Sequence, residues 1–218
     1  MTCSHCEGAN SFFGRRMARR ELKKYRKAGP SVTTDLLVGA LLDHGAESSS
    51  LLDIGGGIGA IQHAAGDWGA PFVTSVDASS AYLDAARLEA SSQGYAGQVD
   101  YILGDFVEIA ESVPGADVVT LDRVLCCYPD MPALVQKSAA KARRMYGLVY
   151  PRTNLLMRTA LKILNLFSWL TRNPFRAYAH DPASIARHVG EEGLRRVFVG
   201  GTMLWKVEVY SRAEALET

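Results

Sequence analysis

Residues 51–66 read LLDIGGGIGAIQHAAG. An apolar run ends in an acid, Asp53, and three glycines follow in a row, with a fourth at Gly59. A glycine-rich turn between a strand and a helix lets a ligand approach bare backbone. The stretch therefore predicts a buried strand over 50–54, a tight turn, and a helix starting at 59.

The same alternation continues outward. Strands are predicted over 71–76, 99–103, 117–121 and 147–150. Helices are predicted over 81–91 and 132–145, with a helical turn over 107–112. Upstream, residues 15–28 lack breakers and read as a basic helix with Ala18, Leu22 and Tyr25 on one side. Gly29-Pro30 stops it, and a second helix follows over 33–42. Downstream the rhythm breaks. A long apolar helix over 154–172 ends at Asn173-Pro174, and another helix follows over 182–189. Two strands, 194–199 and 204–210, flank Gly200-Gly201 and read as an antiparallel pair. The expected fold is α/β and doubly wound, with a mostly parallel seven-stranded sheet that ends in an antiparallel hairpin. It divides into an N-terminal helical cap (1–45), a ligand-binding core (46–150), a helical lid insertion (151–193) and the terminal hairpin (194–212). Residues 1–14 are polar and read as poorly ordered on their own.

Gly55-x-Gly57-x-x-Ala60 matches the dinucleotide fingerprint in form. Asp53 argues against a dinucleotide. A pyrophosphate carries two negative charges, and a carboxylate two residues before the first glycine would repel it. S-adenosyl-L-methionine (SAM) brings a sulfonium and an ammonium instead, and its own carboxylate can take the turn's N–H groups. Two more acids follow the next two strands. Asp77, in FVTSVDAS, is placed to accept from ribose hydroxyls. Asp105, in YILGDF, is placed to accept from the adenine amino group, with Phe106 to stack on the ring. Gly55, Gly57 and Ala78 complete the expected cofactor set, and Asp122 after the fourth strand can join it. Each acid taken alone also reads as a helix cap.

The pieces LLDIGGGIG, VTSVDAS, ILGDF and ADVVTLDRVLCCYPD resemble the successive motifs of class I SAM-dependent methyltransferases. The resemblance spans about residues 20–212 and implies a methyl-transferring enzyme. Tyr128-Pro129-Asp130, Arg176-Ala-Tyr178-Ala-His180 and the ending TMLWKVEVYSRAEAL are similar to the magnesium-protoporphyrin IX O-methyltransferases. Where that family carries histidine before Tyr-Pro, this chain has Cys127.

The expected acceptor is a small molecule, apolar or aromatic, methylated on oxygen. Its contacts should come from the loop after the fourth strand: Asp122 as a base, Tyr128 as a second catalytic candidate, and Arg123, Cys126 and Cys127. His180 reads as a base or orienter, and Arg176 as a clamp for a carboxylate. Tyr25 can close over the cofactor. Plainer readings stand beside these: Tyr128 as a core aromatic, His180-Asp181-Pro182 as a helix start, Tyr25 as surface packing. The 154–172 helix fits a lid over a large apolar acceptor, a dimer seam, or core packing.

Charge is uneven. Eight of the 24 Lys and Arg residues fall within 15–27, opposed only by Glu21, so a segment of net +7 leaves the rest at −6. That segment could bind nucleic acid or an anionic membrane surface. It lacks interleaved aromatics apart from Tyr25, so a solvated helix is favoured over nucleic-acid binding. Peripheral membrane contact and a homodimer stay open. No stretch is long and uncharged enough to span a bilayer. The start carries no apolar signal region, and the cysteines fall in two close pairs, Cys3/Cys6 and Cys126/Cys127, which suits a reducing cytoplasm. No bound metal is expected. A cysteine-based rival remains: a metal-, metalloid- or thiol-linked methyltransferase or redox sensor on the same fold.

Overall fold

The computed structural model describes residue 8 and residues 12–95 and 98–212. Two helices precede the sheet among the elements described, α1 (Arg15–Ala28) and α2 (Val32–Asp43). The alternating part follows: β1 (Leu51–Ile54), α3 (Ala60–Asp67), β2 (Val73–Asp77), α4 (Ser80–Ser92), β3 (Val99–Leu103), α5 (Phe106–Ile109), β4 (Ala116–Asp122), α6 (Met131–Ala140) and β5 (Ala142–Pro151). Then come α7 (Leu155–Leu170), α8 (Pro182–Glu191), β6 (Leu194–Gly201) and β7 (Trp205–Arg212).

The strands form one sheet in the order β3-β2-β1-β4-β5-β7-β6. Strands β1 to β5 pair in parallel, and β7 lies antiparallel between β5 and β6. The order reverses between β1 and β4. In a doubly wound sheet that reversal opens a crevice beyond the carboxyl ends of those two strands. Two apolar clusters cover the faces. One gathers Leu52, Val119, Leu121 and Tyr146, and the other Leu37, Leu41, Leu51 and Val149. Neighbouring residues of one strand fall in opposite clusters, as a strand buried on both faces requires.

Helix starts follow the sequence signals. Ser31, Ser79, Asp130, Asn154 and Asp181 each accept a backbone N–H from the first turn of the helix they precede. Helix α1 docks onto α4 through Arg26 and Glu89, 2.6 Å apart, and onto α3 through Tyr25 Oη and His63 Nδ1, 3.0 Å apart.

Three expectations need correction. The helix expected over 132–145 ends at Ala140, and β5 is ten residues long. Lys141-Ala-Arg-Arg-Met carries no breaker and suits a helix by propensity. Pairing with β4 and β7 overrides that preference, and Arg144 anchors the strand by donating to Ser49 Oγ and Gly45 O. Second, Gly200 and Gly201 do not form the hairpin turn. They pair with Val207 and Lys206, and the turn is 202–204. Gly201 has φ +127°, and a Cβ there would strike the carbonyl oxygen of Trp205. Third, part of the segment read as poorly ordered is packed, because Phe12 and Phe13 dock against Phe175.

A buried acid ties the hairpin to the sheet. Glu208 is fully buried and accepts from Tyr150 Oη (2.6 Å), Tyr210 Oη (2.8 Å), Lys206 Nζ (2.7 Å) and Arg196 (2.9 Å). Burial pushes its carboxyl up. The hydrogen bonds and the Lys206 charge outweigh burial and hold it below the usual carboxylate range. Its stabilisation is therefore present at neutral pH and is lost as pH falls below the ordinary glutamate range. Glu208→Ala is expected to cost about 3–5 kcal/mol, because it leaves cations and hydroxyls without their acceptor. Urea unfolding at neutral pH checks this; an unchanged midpoint would contradict it.

Candidate active site

The crevice between β1 and β4 holds a cavity of about 420 Å³. This is the size of a small-molecule site. Its floor is the glycine turn. Gly55, Gly57 and Gly59 have φ of +65°, +56° and +88°. A Cβ on Gly55 would overlap Val124, and one on Gly56 would overlap Gln62 and Asp53. The glycines are thus required both by backbone conformation and by close packing.

Asp53, at 1% exposure, lies under this turn. Thr120 Oγ1 donates to Oδ1 at 2.7 Å and Gln62 Nε2 donates to Oδ2 at 3.2 Å. Burial pushes its carboxyl up to about 7 against those two hydrogen bonds, and the nearby Asp122 and Asp77 add to the rise. Asp77 is raised to about 6, mainly by burial. It accepts from Gly57 N at 3.1 Å and from Ser79 N at 2.7 Å, which fastens β2 to the turn. Ala78 lines the cavity beside it. Asp105 caps α5 by accepting from Val107 N, and it also accepts from Tyr128 Oη at 3.0 Å. Asp105 thus caps a helix and also lines the cavity. Phe106, 4% exposed, lines the same end.

Beyond β4, Asp122 accepts from Thr34 Oγ1 and from Arg123 Nε, the latter at 2.9 Å. Arg123 sits at φ +63°, a conformation uncommon outside glycine and a mark of a constrained site. Cys127 lines the cavity, with its Sγ 3.6 Å from that of Cys126. The hydrogen bond with Cys126, then burial, push the Cys127 thiol well above its ordinary range, so it stays neutral. Among the described residues, no group of three or more His, Cys, Asp or Glu could hold a metal ion. Cys3 and Cys6 lie outside the described residues.

Three of the expected residues do not line the cavity. His180 Nε2 lies 2.9 Å from Leu125 O and 3.0 Å from Tyr128 O. Both partners are acceptors, so this nitrogen carries the proton. Burial also lowers the imidazole's pKa and favours the neutral ring. Arg176 donates from Nη1 to Asn173 O and Phe175 O, both at 2.7 Å, which ties that end of its guanidinium to its own loop. Tyr25 turns its hydroxyl to His63, away from the cavity.

Beyond the helix read as a lid, sequence reasoning missed the rest of a second wall, the side chains of Phe12, Phe13, Phe175 and Trp205. Met157 and Leu161 line it too. Phe12 stacks on Phe175 at 4.3 Å, and Phe13 meets Tyr82 edge-on at 5.8 Å. Adjacent phenylalanines in an otherwise polar segment were the available signal. Helix α7 is not core, since only Met157 and Ser168 on it are buried.

The lining charges decide what the floor accepts. Glu21, Asp53, Asp77, Asp105 and Asp122 face one guanidinium, Arg123, among the described residues. Such a wall repels a pyrophosphate and attracts a cation. Together with the glycine cradle, it fits SAM. A family model described as O-methyltransferase domain matches residues 8–149. The chain belongs to that family. It is a SAM-dependent methyltransferase. No curated protein matches it in sequence. Among solved structures, it is similar to magnesium protoporphyrin IX methyltransferase from Synechocystis with bound S-adenosylhomocysteine, at 24% identity and a TM-score of 0.68. That match covers 83% of this chain and 82% of the other. An O-methyltransferase family protein from Burkholderia thailandensis matches at 18% identity and a TM-score of 0.71, covering 90% of this chain and 60% of that one. Human N-acetylserotonin methyltransferase in complex with SAM matches at 17% identity and a TM-score of 0.62, covering 91% and 56%. At these identities the structures establish a shared fold. No helix among the described residues is long and apolar enough to cross a membrane.

Proposed function

We propose that this methyltransferase acts on an oxygen of an apolar or aromatic small molecule, and that the oxygen is ionised before it reacts. The observation that carries the reading is the wall of Phe12, Phe13, Phe175, Met157, Leu161 and Trp205 facing the acid-rich floor. Apolar side chains of that size favour a ring system over a sugar or a peptide.

Bound SAM supplies an electrophilic methyl group on its sulfonium. The protein's share is alignment and exclusion of water. Asp77 would hold the ribose, Asp105 and Phe106 the adenine, and Asp53 the cationic end above the glycine turn. Phe12 and Phe13 close one side of the chamber, and α7 serves as its lid. Among the described residues no lysine or histidine lines the cavity, the Cys127 thiol is neutral, and Asp122 is engaged by Thr34 and Arg123. A neutral alcohol would therefore lack a strong base, whereas a carboxylate or an acidic phenol needs none. We assign His180 as a positioning residue that holds the 125–127 turn, with Cys127 and Tyr128 nearest the acceptor. The acceptor in the Synechocystis enzyme's name, magnesium protoporphyrin IX, belongs to this acceptor class.

Incubating the full chain with radiolabelled SAM and a panel of aromatic carboxylic acids, acidic phenols, aliphatic alcohols and thiols tests the proposal. Label should pass to the acids or phenols, as base-labile esters or base-stable ethers. Labelling confined to thiols would favour the cysteine-linked reading and overturn this one.

A further inference from the structure

Helix α7 is apolar on two opposite sides. Met157, Leu161 and Leu164 face the cavity. At 3.6 residues per turn, the opposite arc holds Leu155, Leu156, Ile163, Leu166, Phe167 and Leu170, each more than half exposed. The hairpin turn meets the start of this helix. Asn154 Nδ2 donates to Met203 O at 2.7 Å, which sets Met203, 70% exposed, beside the start of the helix. An apolar face of this extent marks an interaction surface.

Charge says what covers it. Arg158 and Lys162 flank the apolar arc, together with the exposed Trp169. A second cavity, of about 190 Å³, opens there between Arg158, Lys162, Thr159, Thr153 and Leu155. The Thr159 hydroxyl donates to Leu155 O at 2.9 Å, and the two cations with the Thr153 hydroxyl around one hollow suit a phosphate. Residues 151–180 contain five arginines and lysines and no acid at all. A two-fold pairing of α7 with a second copy would bring these cations together with no acid from this segment to meet them. With 16 residues, the helix is too short to cross a bilayer and long enough to lie along the surface of one.

We propose that the outward face of α7 docks the protein on an anionic lipid bilayer, with a lipid phosphate seated between Arg158 and Lys162. The surface stands apart from the acceptor chamber, so the proposal does not depend on which oxygen is methylated.

Sedimentation of the full chain with lipid vesicles at about 0.15 M salt tests it. Vesicles of phosphatidylcholine with one third phosphatidylglycerol should carry the protein down, and pure phosphatidylcholine should carry down much less. Ile163→Gln/Phe167→Gln should weaken that partitioning roughly tenfold or more. Arg158→Glu/Lys162→Glu should do the same. Circular dichroism and SAM affinity should not change in either variant, since none of the four side chains lines the cofactor cavity. Three results would overturn the proposal. One is absence of binding to anionic vesicles at that salt. Another is binding that survives both variants, which would point to the α1 cations alone. The third is a concentration-dependent dimer, seen by analytical ultracentrifugation, that Ile163→Gln/Phe167→Gln abolishes; this would give the face to a second copy.

Discussion

Asp77→Ala is expected to lower SAM affinity by roughly two to four orders of magnitude while leaving a folded protein. The carboxylate has about four acceptor positions. The backbone N–H groups of Gly57 and Ser79 use two of them. The other two are left for a vicinal diol, which matches a ribose. Hydrogen bonds to a charged acceptor contribute about 1.5–3 kcal/mol each, and losing two gives the stated range. Asp77→Asn should lose less, because its amide oxygen still accepts. Titration calorimetry on both variants checks the ranking. If Asp77→Ala bound SAM like the parent, the ribose would have to sit elsewhere.

The second large effect has two signs. Asp53→Asn should weaken SAM binding by a hundredfold or more and should also stabilise the free protein. In the free protein, burial raises the Asp53 carboxyl to about 7 from an ordinary value near 3.8. Between those two values the folded state holds a proton that the unfolded state has released. Stability therefore falls as pH rises through this window, by an amount on the order of 4 kcal/mol above pH 7. An asparagine side chain removes that penalty. Gln62 can accommodate it: turning its amide over presents Oε1, which now has no partner, to the introduced NH2 group and to the Ser75 hydroxyl. A gain of roughly 5 °C or more in melting temperature is expected at pH 8, and a gain roughly a third as large at pH 5, where only the first part of the window has been crossed. The loss of affinity follows from the charge a cationic ligand would meet. A variant that lost stability at pH 8, or kept full affinity, would contradict the role assigned to Asp53. A destabilising group retained at a binding site is a familiar cost of function.

Most of the fold could be read in the sequence because the periodicities were clean and the punctuation strong. Strand 99–103 lies where expected, and α1 ends at Ala28, before Gly29-Pro30. Reading failed where tertiary pairing beat local preference. Nothing within 141–145 marks a change from helix to strand; the cue is the open edge of β4, which the chain meets only after folding. The same division runs through the site. Acids at strand ends and the glycine turn follow from topology, since the sheet places all of them at one edge. Asp53, Asp77, Asp105 and Asp122 accordingly converge on one cavity. Side chains that come from outside the alternating core obey no such rule. Phe12 reaches Phe175 across 163 positions of chain, and no local pattern encodes that meeting. His180 and Arg176 failed as cavity residues for a related reason. Their polar ends satisfy nearby backbone carbonyls, a demand that residue type alone does not reveal.

The central claim is that the first crossover cradles a cationic, phosphate-free nucleoside whose binding ionises Asp53. Calorimetry of the full chain with SAM tests it most directly, at pH 6 in two buffers of different ionisation enthalpy and again at pH 8. The account predicts binding that tightens as pH rises, with net proton release at pH 6, and no uptake of NAD. Binding of NAD without SAM, or SAM binding with the same affinity at both pH values and no proton release, would contradict it.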